Sequence, residues 1–138
     1  MKLLVCILII QVSFAQELSQ HYFRERVITI HADSMETETA QKQVGAFLLL
    51  KKEMIDRKIV LYNCMANTCT FYDFFESPKQ IDAKENEHAF EIRLYGLDGQ
   101  IKYEANQYTP PQELFTLIDK MPMRRNEMRK RIKKEGYE

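Results

Sequence analysis

The sequence predicts a single α/β domain in which a parallel pair of strands is followed by an antiparallel hairpin. Its 138 residues are 45% hydrophobic and 29% charged, the balance of one folded globular domain. Residues 26–31 and 58–63 are apolar, β-branched segments separated by one amphipathic helix, a spacing typical of a parallel β-α-β unit. Residues 89–95 and 101–105 alternate between apolar and polar side chains on either side of Asp98-Gly99, a strong hairpin signal.

The first element is a predicted secretory leader, residues 1–15. Lys2 supplies a positive charge, residues 3–10 form an unbroken apolar run, and small residues at Ser13 and Ala15 fit a signal-peptidase site. We therefore expect cleavage before Gln16 and a secreted or periplasmic protein, with a bacterial envelope as the favoured location. The apolar run is shorter than the roughly 20 residues that a spanning helix needs, so no transmembrane segment is expected after cleavage.

Two other interpretations of this segment remain open. Cys6 could be the acylated cysteine of a lipoprotein, although Val5 is bulky for that signal and more apolar chain follows. The run could also be a buried N-terminal strand. Cleavage would leave a polar and flexible N-terminus at residues 16–25, followed by a domain over residues 26–138.

The next elements form the predicted β-α-β unit. Residues 26–31 should be a buried strand, with Asp33 as the N-cap of a helix and Glu36 completing a capping box. The apolar residues of this helix recur on one face, and the helix should end near Glu53. Residues 58–63 form the second strand, parallel to the first.

The segment over residues 64–88 is expected to carry a short helix and a buried aromatic group. Ser77-Pro78 is typical of an N-cap and first helical position, so a helix is predicted through about Lys84. Four aromatic residues lie close together and are expected to be buried: Phe71, Tyr72, Phe74 and Phe75.

Two helices end the chain. Thr109-Pro110-Pro111 should begin the first, and Pro122 should stop it, because proline lacks an N–H and restricts the residue before it. A basic helix should follow from about Arg124, with at least one of Met121 and Met123 anchoring the corner. The order β-α-β-α-β-β-α plus a basic C-terminal helix is the minimal layout of a thioredoxin-like three-layer sandwich.

The basic helix is electrically distinct from the body. Residues 119–138 carry eight basic and four acidic side chains, whereas residues 16–118 carry eleven basic and sixteen acidic. The segment is therefore a solvated helix face, or an arm that docks on the acidic body or on an anionic partner. Arginines at a helix start oppose the helix dipole, so we expect Arg124 or Arg125 to pair with a carboxylate of the body. Nucleic-acid binding is disfavoured because no reading motif is present.

Two strings carry a family resemblance: IDKMPMRRNEMR at residues 118–129 and YGLDGQIK at residues 95–102. With them, residues 26–134 resemble a secreted domain-of-unknown-function family of the bacterial DUDES type. That family is related to a domain of Sushi-repeat-containing proteins and of an extracellular coiled-coil-domain-containing protein. The resemblance implies a thioredoxin-like fold and an extracytoplasmic location, and it implies no reaction. A structural or binding role is expected for the motif residues: Met121, Pro122, Met123, Arg124, Arg125, Glu127 and Met128.

The position of the thioredoxin nucleophile carries no cysteine. Thioredoxin-type enzymes place a C-x-x-C after the first strand, where the helix N-terminus lowers the thiol pKa. Residues 33–36 here read DSME, and residues 87–89, before the third strand of that layout, contain no proline. Thiol–disulfide exchange at the usual site is therefore not expected.

Cys64 and Cys69 are the two cysteines that remain after cleavage of the leader. Their C-x₄-C spacing allows a short-loop disulfide, and the oxidising compartment makes a structural disulfide the first interpretation. Two buried thiols and a redox-active pair are the alternatives. A zinc site would need two more ligands, and the three histidines are scattered.

His31 and Asp33 are weak site candidates at the carboxyl end of the first strand, where α/β sheets often place their sites. The favoured interpretation is that Asp33 is an N-cap and His31 an ordinary strand-end residue. No cofactor is expected. The sequence as a whole favours a non-catalytic binding or adhesion-type module whose partner is an envelope or extracellular protein or an anionic ligand. The alternative is a divergent periplasmic thiol–disulfide oxidoreductase that uses Cys64 and Cys69.

Overall fold

A computed structural model of the chain describes residues 14–83 and 89–136. Within these ranges the helices are α1 (Phe14–Ser19), α2 (Thr37–Leu48), α3 (Lys51–Asp56), α4 (Pro111–Asp119) and α5 (Pro122–Glu135). The strands are β1 (Arg26–Ala32), β2 (Ile59–Met65), β3 (Thr68–Tyr72), β4 (Lys79–Asp82), β5 (Phe90–Tyr95) and β6 (Ile101–Ala105). None of the helices in this part of the chain is long and apolar enough to cross a membrane. Cys6, most of the predicted leader and His88 lie outside the described residues.

The strands form one mixed sheet in the order β4-β3-β2-β1-β5-β6. β1 pairs in parallel with β2, with Arg26 opposite Ile59, and antiparallel with β5. The remaining neighbours pair antiparallel, including the β5–β6 hairpin. The predicted parallel pair and the predicted hairpin are both confirmed.

The two faces of the sheet are covered unequally. Helices α2, α3 and α4 pack on one face, where Ile28 and Ile30 of β1 meet Phe47 and Phe115 in the main core. Each such fully buried side chain stabilises the fold by about 1.5–3 kcal/mol. The opposite face carries a smaller cluster around Tyr62, against which α1 places Phe14 and Leu18. In the part of the chain that the structure describes, α1 is therefore the helix that forms the third layer.

The helix predicted from Ser77 does not form, because residues 79–82 are the edge strand β4 paired with β3. Ile81 is half-buried beside the second cluster, while its neighbours point to solvent, which is the alternation of a strand. Ser77-Pro78 gives the local signal of a helix start, but pairing with β3 determines the conformation. β3 itself follows a two-residue turn in which Ala66 has φ +53°.

The aromatic residues after Cys69 are not one buried group. Phe71 and Tyr72 are half-buried on opposite faces of the sheet, because successive residues of a strand alternate. Phe74 is buried in the main core, whereas Phe75 is 76% exposed. The prediction of burial is thus wrong for Phe75.

The single helix predicted from Asp33 to Glu53 is two helices, α2 and α3. The break at Leu49, which is exposed, shifts the apolar stripe so that Met54 enters the core. Asp33 is not the N-cap, since the helix begins at Thr37 after Glu36. Its carboxylate instead accepts the backbone N–H groups of Met35 and Glu36 at 2.9 and 3.0 Å, closing the preceding turn.

Residues 16–25, predicted as a flexible N-terminus, contain most of α1 and a turn with regular hydrogen bonds. His21 in this turn is buried and lies 2.7 Å through Nε2 from the hydroxyl of Tyr62. Burial, followed by the Glu17 carboxylate, raises the pKa of Tyr62 to about 12. The hydroxyl therefore keeps its proton at neutral pH, and the other ring nitrogen of His21, Nδ1, lies 3.1 Å from Glu25.

Candidate functional site

The corner between α4 and α5 is built by Pro122. Helix α4 ends at Asp119, Met121 is extended with ψ 141°, and Pro122 is the first residue of α5. Proline suits this place because the first N–H of a helix has no partner within the helix. Met121 packs against the main core, whereas Met123 is 43% exposed. The prediction that one of the two methionines anchors the corner is confirmed for Met121.

Arg124 fixes α5 to the body of the domain. Its side chain is 3% exposed and donates to Oδ2 of Asp56 at 2.5 Å, to the Asp56 carbonyl at 2.9 Å and to Asp119 at 3.2 Å. Burial alone lowers the pKa of Arg124, but its hydrogen bonds to the two carboxylates outweigh burial and raise it. Pairing of one motif arginine with a carboxylate of the body is thus confirmed, and Arg125 is exposed.

Two further arginines extend the network inwards. Arg57 makes a two-point contact with Asp119 at 3.1 and 2.8 Å and lies over the ring of Phe115, 4.7 Å from its centre. Arg26, fully buried, donates to the Arg57 carbonyl at 2.8 Å and to Glu127 at 3.3 and 3.4 Å. The motif residue Glu127 thereby links α5 to the start of β1.

The two strings that carry the family resemblance meet at one pocket of about 290 Å³. One wall is Met121, Pro122 and Met123, and the opposite wall is the hairpin turn over residues 96–98. Arg26 and Lys102 complete the lining. We call this the corner pocket.

The polar groups of the corner pocket are unequally satisfied. Lys102 pairs with Asp98 at 2.9 Å, and this contact, followed by the backbone N–H of Gln100, lowers the pKa of Asp98. Nε of Arg26 is buried and has no hydrogen-bond partner within residues 14–83 and 89–136. A buried N–H without an acceptor is costly, so this atom is an unmet hydrogen-bond donor beside the corner pocket.

Glycine allows the hairpin turn to approach its neighbours closely. A Cβ atom on Gly96 would lie 2.7 Å from the side chain of Lys102. Gly99 has φ +75°, and a Cβ there would lie 2.3 Å from the ring of Tyr22. Glycine fits this conformation without strain. The same tight turn therefore explains the hairpin signal at Asp98-Gly99 and forms the pocket wall beside it.

The other predicted site residues lie away from the corner pocket. Met128 lines a separate shallow hollow on α5 with Arg125 and Ile132. The ring of His31 lies edge-on to Phe14 at the second face of the sheet, and Asp33 closes the turn described above.

Cys64 and Cys69 form a disulfide directly across the β2–β3 pair. They are 2% and 1% exposed, within the smaller cluster, which fits the structural interpretation. No group of three potential metal-ligating side chains occurs in the part of the chain that the structure describes.

Sequence reasoning missed the residues that complete the corner pocket, above all Arg26, Leu97 and Lys102. Arg26 is the charged first residue of a strand predicted to be buried, and the sequence pattern does not indicate what its guanidinium contacts. The signal for the other two residues is the second string, which contains Leu97 and Lys102.

A model of the family described as "Domain of unknown function (DUF4174)" matches residues 17–127. The match covers both walls of the corner pocket and ends at Glu127. No match is found among curated proteins or among solved structures.

Proposed function

We propose that this chain, which belongs to the DUF4174 family of domains of unknown function, is a secreted or periplasmic, non-catalytic binding module with a thioredoxin-like core. The observation that carries the proposal is the corner pocket, where Arg26 holds a buried and unsatisfied N–H beneath walls of methionine, proline and leucine. Pockets with apolar walls and few polar groups are typical of small-ligand sites.

The thioredoxin-like assignment is supported by strand order. The four strands β2-β1-β5-β6 contain a parallel pair followed by antiparallel neighbours, with α2 between the first two and α4 after the last. This is the order of the minimal thioredoxin layout. The hairpin strands β3 and β4 stand where that layout has its second helix.

The pocket favours a ligand with an apolar body and one hydrogen-bond acceptor. Met121, Met123 and Leu97 offer contact surface for an aliphatic or aromatic group. A ligand oxygen is the group that Nε of Arg26 lacks, and a charge-assisted hydrogen bond of this kind is stronger than a neutral one. The Asp98–Lys102 pair lies at the same pocket and is already satisfied internally.

Binding is tested with three probes of equal size: phenylacetate, phenylacetamide and phenethylamine. The first two carry an acceptor and should shift the amide NMR signals of Leu97 and Met123 saturably. Phenethylamine is a cation without an acceptor and should not. Met123→Trp should fill the pocket and block binding, whereas Met35→Trp, at an exposed methionine, should leave it intact. Equal binding of all three probes, or none, would reject the assignment.

The oxidoreductase alternative is tested on the cysteines. Exchange needs an accessible sulfur and a stabilised thiolate, and both sulfurs are buried in an apolar cluster. We expect native protein to react with no thiol reagent before reduction and to show no turnover in insulin reduction. Rapid exchange with glutathione would favour the oxidoreductase instead.

A further inference from the structure

Phe14 occupies an aromatic slot on the second face of the sheet. Its ring lies edge-on to His31 and to Tyr62, with 5.5 Å between ring centres in each contact and interplanar angles of 87° and 88°. Tyr62 is fully buried and stacks against Phe71 at 4.8 Å. Edge-to-face pairs of this kind are favourable beyond the area that they bury.

The predicted cleavage site separates Phe14 from the domain. Cleavage before Gln16 removes Phe14 and Ala15 with the leader, while Leu18 and the buried His21 remain in the mature chain. The walls of the slot lie on β1 and β2, in the middle of the sheet, and stay in place. Maturation would thus uncover a site shaped for a ring.

An unsatisfied hydroxyl lies on the same face. Thr29 pairs in register with Tyr62 and precedes His31 by two residues, so its side chain shares their face of the sheet. Its Oγ1 is buried and has no hydrogen-bond partner within the described ranges. A buried hydroxyl without a partner is an independent sign that the native form of this face includes another group.

We propose that the mature protein binds a peptide segment of a partner protein through this slot, with one aromatic side chain in the place that Phe14 leaves. The proposal rests on the secretion stated in the proposed function and on the predicted cleavage before Gln16. A peptide is the favoured occupant because the present one is a peptide: α1 presents Phe14 to the rings and Leu18, one turn later, to the same cluster. The leader residue then acts as a temporary cover of the site.

The experiment starts with mature protein recovered from an expressing bacterium, and its N-terminus is read by mass spectrometry. The probes are N-acetyl-phenylalanyl-alanine amide and, as the matched control, N-acetyl-alanyl-alanine amide. The phenylalanine probe should shift the ring NMR signals of His31 and Phe71 saturably, with a dissociation constant of about 1 mM, as expected for a single ring. The alanine probe should shift neither.

Two variants of the mature protein sharpen the test. Restoring Phe and Ala ahead of Gln16 should abolish binding, because the slot is filled from within. His31→Ala should weaken binding about threefold to tenfold through loss of one edge-to-face pair. Both variants should keep the unfolding temperature within a few degrees, which separates loss of the slot from loss of the fold.

The outcomes separate the inference from the function on which it rests. An N-terminus at Gln16 with no probe binding, or with α1 closing over the slot, overturns the inference and leaves secretion intact. An N-terminus that retains Phe14 overturns both the slot and the predicted cleavage. Binding that survives restoration of Phe14 also overturns the proposal, because the probe then occupies another place.

Discussion

The helices α1 and α5 are both attached to the body of the domain, but different forces attach them. Arg124 of α5 is buried and makes charged hydrogen bonds to Asp56 and Asp119, while Glu127 reaches Arg26. α1 is attached through ring and methyl contacts, and each of its residues keeps some exposure. Directional charged contacts between remote segments make α5 part of the fold. Ring contacts hold the Phe14 end of α1, and the predicted cleavage before Gln16 would remove that end while residues 16–19 stay in the chain.

Among the substitutions that test this difference between α1 and α5, Arg124→Ala should cause the largest loss of stability. It removes the buried cation that joins Asp56 and Asp119 and leaves each carboxylate with one arginine fewer. We expect a loss of about 2–4 kcal/mol in the free energy of unfolding, measured by urea denaturation. Arg125→Ala, at the exposed neighbour, is the matched control and should stay within about 0.5 kcal/mol. Equal effects of the two changes would contradict the docking of α5.

Removal of the disulfide should come next. Cys64→Ala and Cys69→Ala each break the same bond, which closes a short loop across β2 and β3, so each should cost up to about 2 kcal/mol. The double variant should resemble either single one, because the bond is lost only once. Additive losses in urea denaturation would mean that the sulfurs contribute mainly by packing.

The Asp56→Asn variant tests how much the negative charge of Asp56 stabilises the corner between α4 and α5. The measurement is the free energy of unfolding as a function of pH. Burial raises the pKa of Asp56, but its hydrogen bonds to Arg131 and Arg124 outweigh burial and lower it below the ordinary value. A lowered folded-state pKa means that the stabilisation is present above the unfolded pKa and is lost as pH falls through the folded one. The variant should therefore be less stable by about 1 kcal/mol near neutral pH and equal to the parent in strong acid. Asp33→Asn, which follows the opposite end of β1 from Arg26, is the control. A pH-independent difference for Asp56→Asn would refute the charge effect.

The sequence predicts a helix or strand correctly wherever burial of one face leaves a regular pattern of apolar residues. β1, β2 and the β5–β6 hairpin follow from alternation or from apolar runs because the sheet buries those positions. β4 is not predicted because an edge strand with one inward-facing residue shows almost no alternation of apolar and polar side chains. Ser77-Pro78, in contrast, is a strong local signal for the start of a helix. The break between α2 and α3 was missed because four consecutive apolar residues, FLLL at 47–50, hide the change of face.

The candidate site was predictable only in part. The pairing of Arg124 followed from a cation at a helix start, which is a local argument. Arg57 meets Asp119 across 62 positions and Arg26 meets Glu127 across 101, and a single sequence holds no signal for such contacts. The corner pocket lies where these remote segments converge.

Leu18→Ala should cause the smallest loss of stability, and it tests how firmly α1 is attached to the domain. Leu18 is half-buried and is the residue through which α1 touches the second cluster once Phe14 is gone. Partial burial on a short helix limits its contribution, and we expect a loss of about 1 kcal/mol or less in the mature protein. Hydrogen exchange should quicken for residues 16–19 and stay unchanged in α5, because α1 packs on the smaller cluster whereas Asp56 and Asp119 hold α5. Ile118→Ala, in the main core, is the matched aliphatic control and should cost about 2–5 kcal/mol. If Leu18→Ala approached that loss, α1 would be an integral layer of the domain, and an aromatic slot opened by maturation would be untenable.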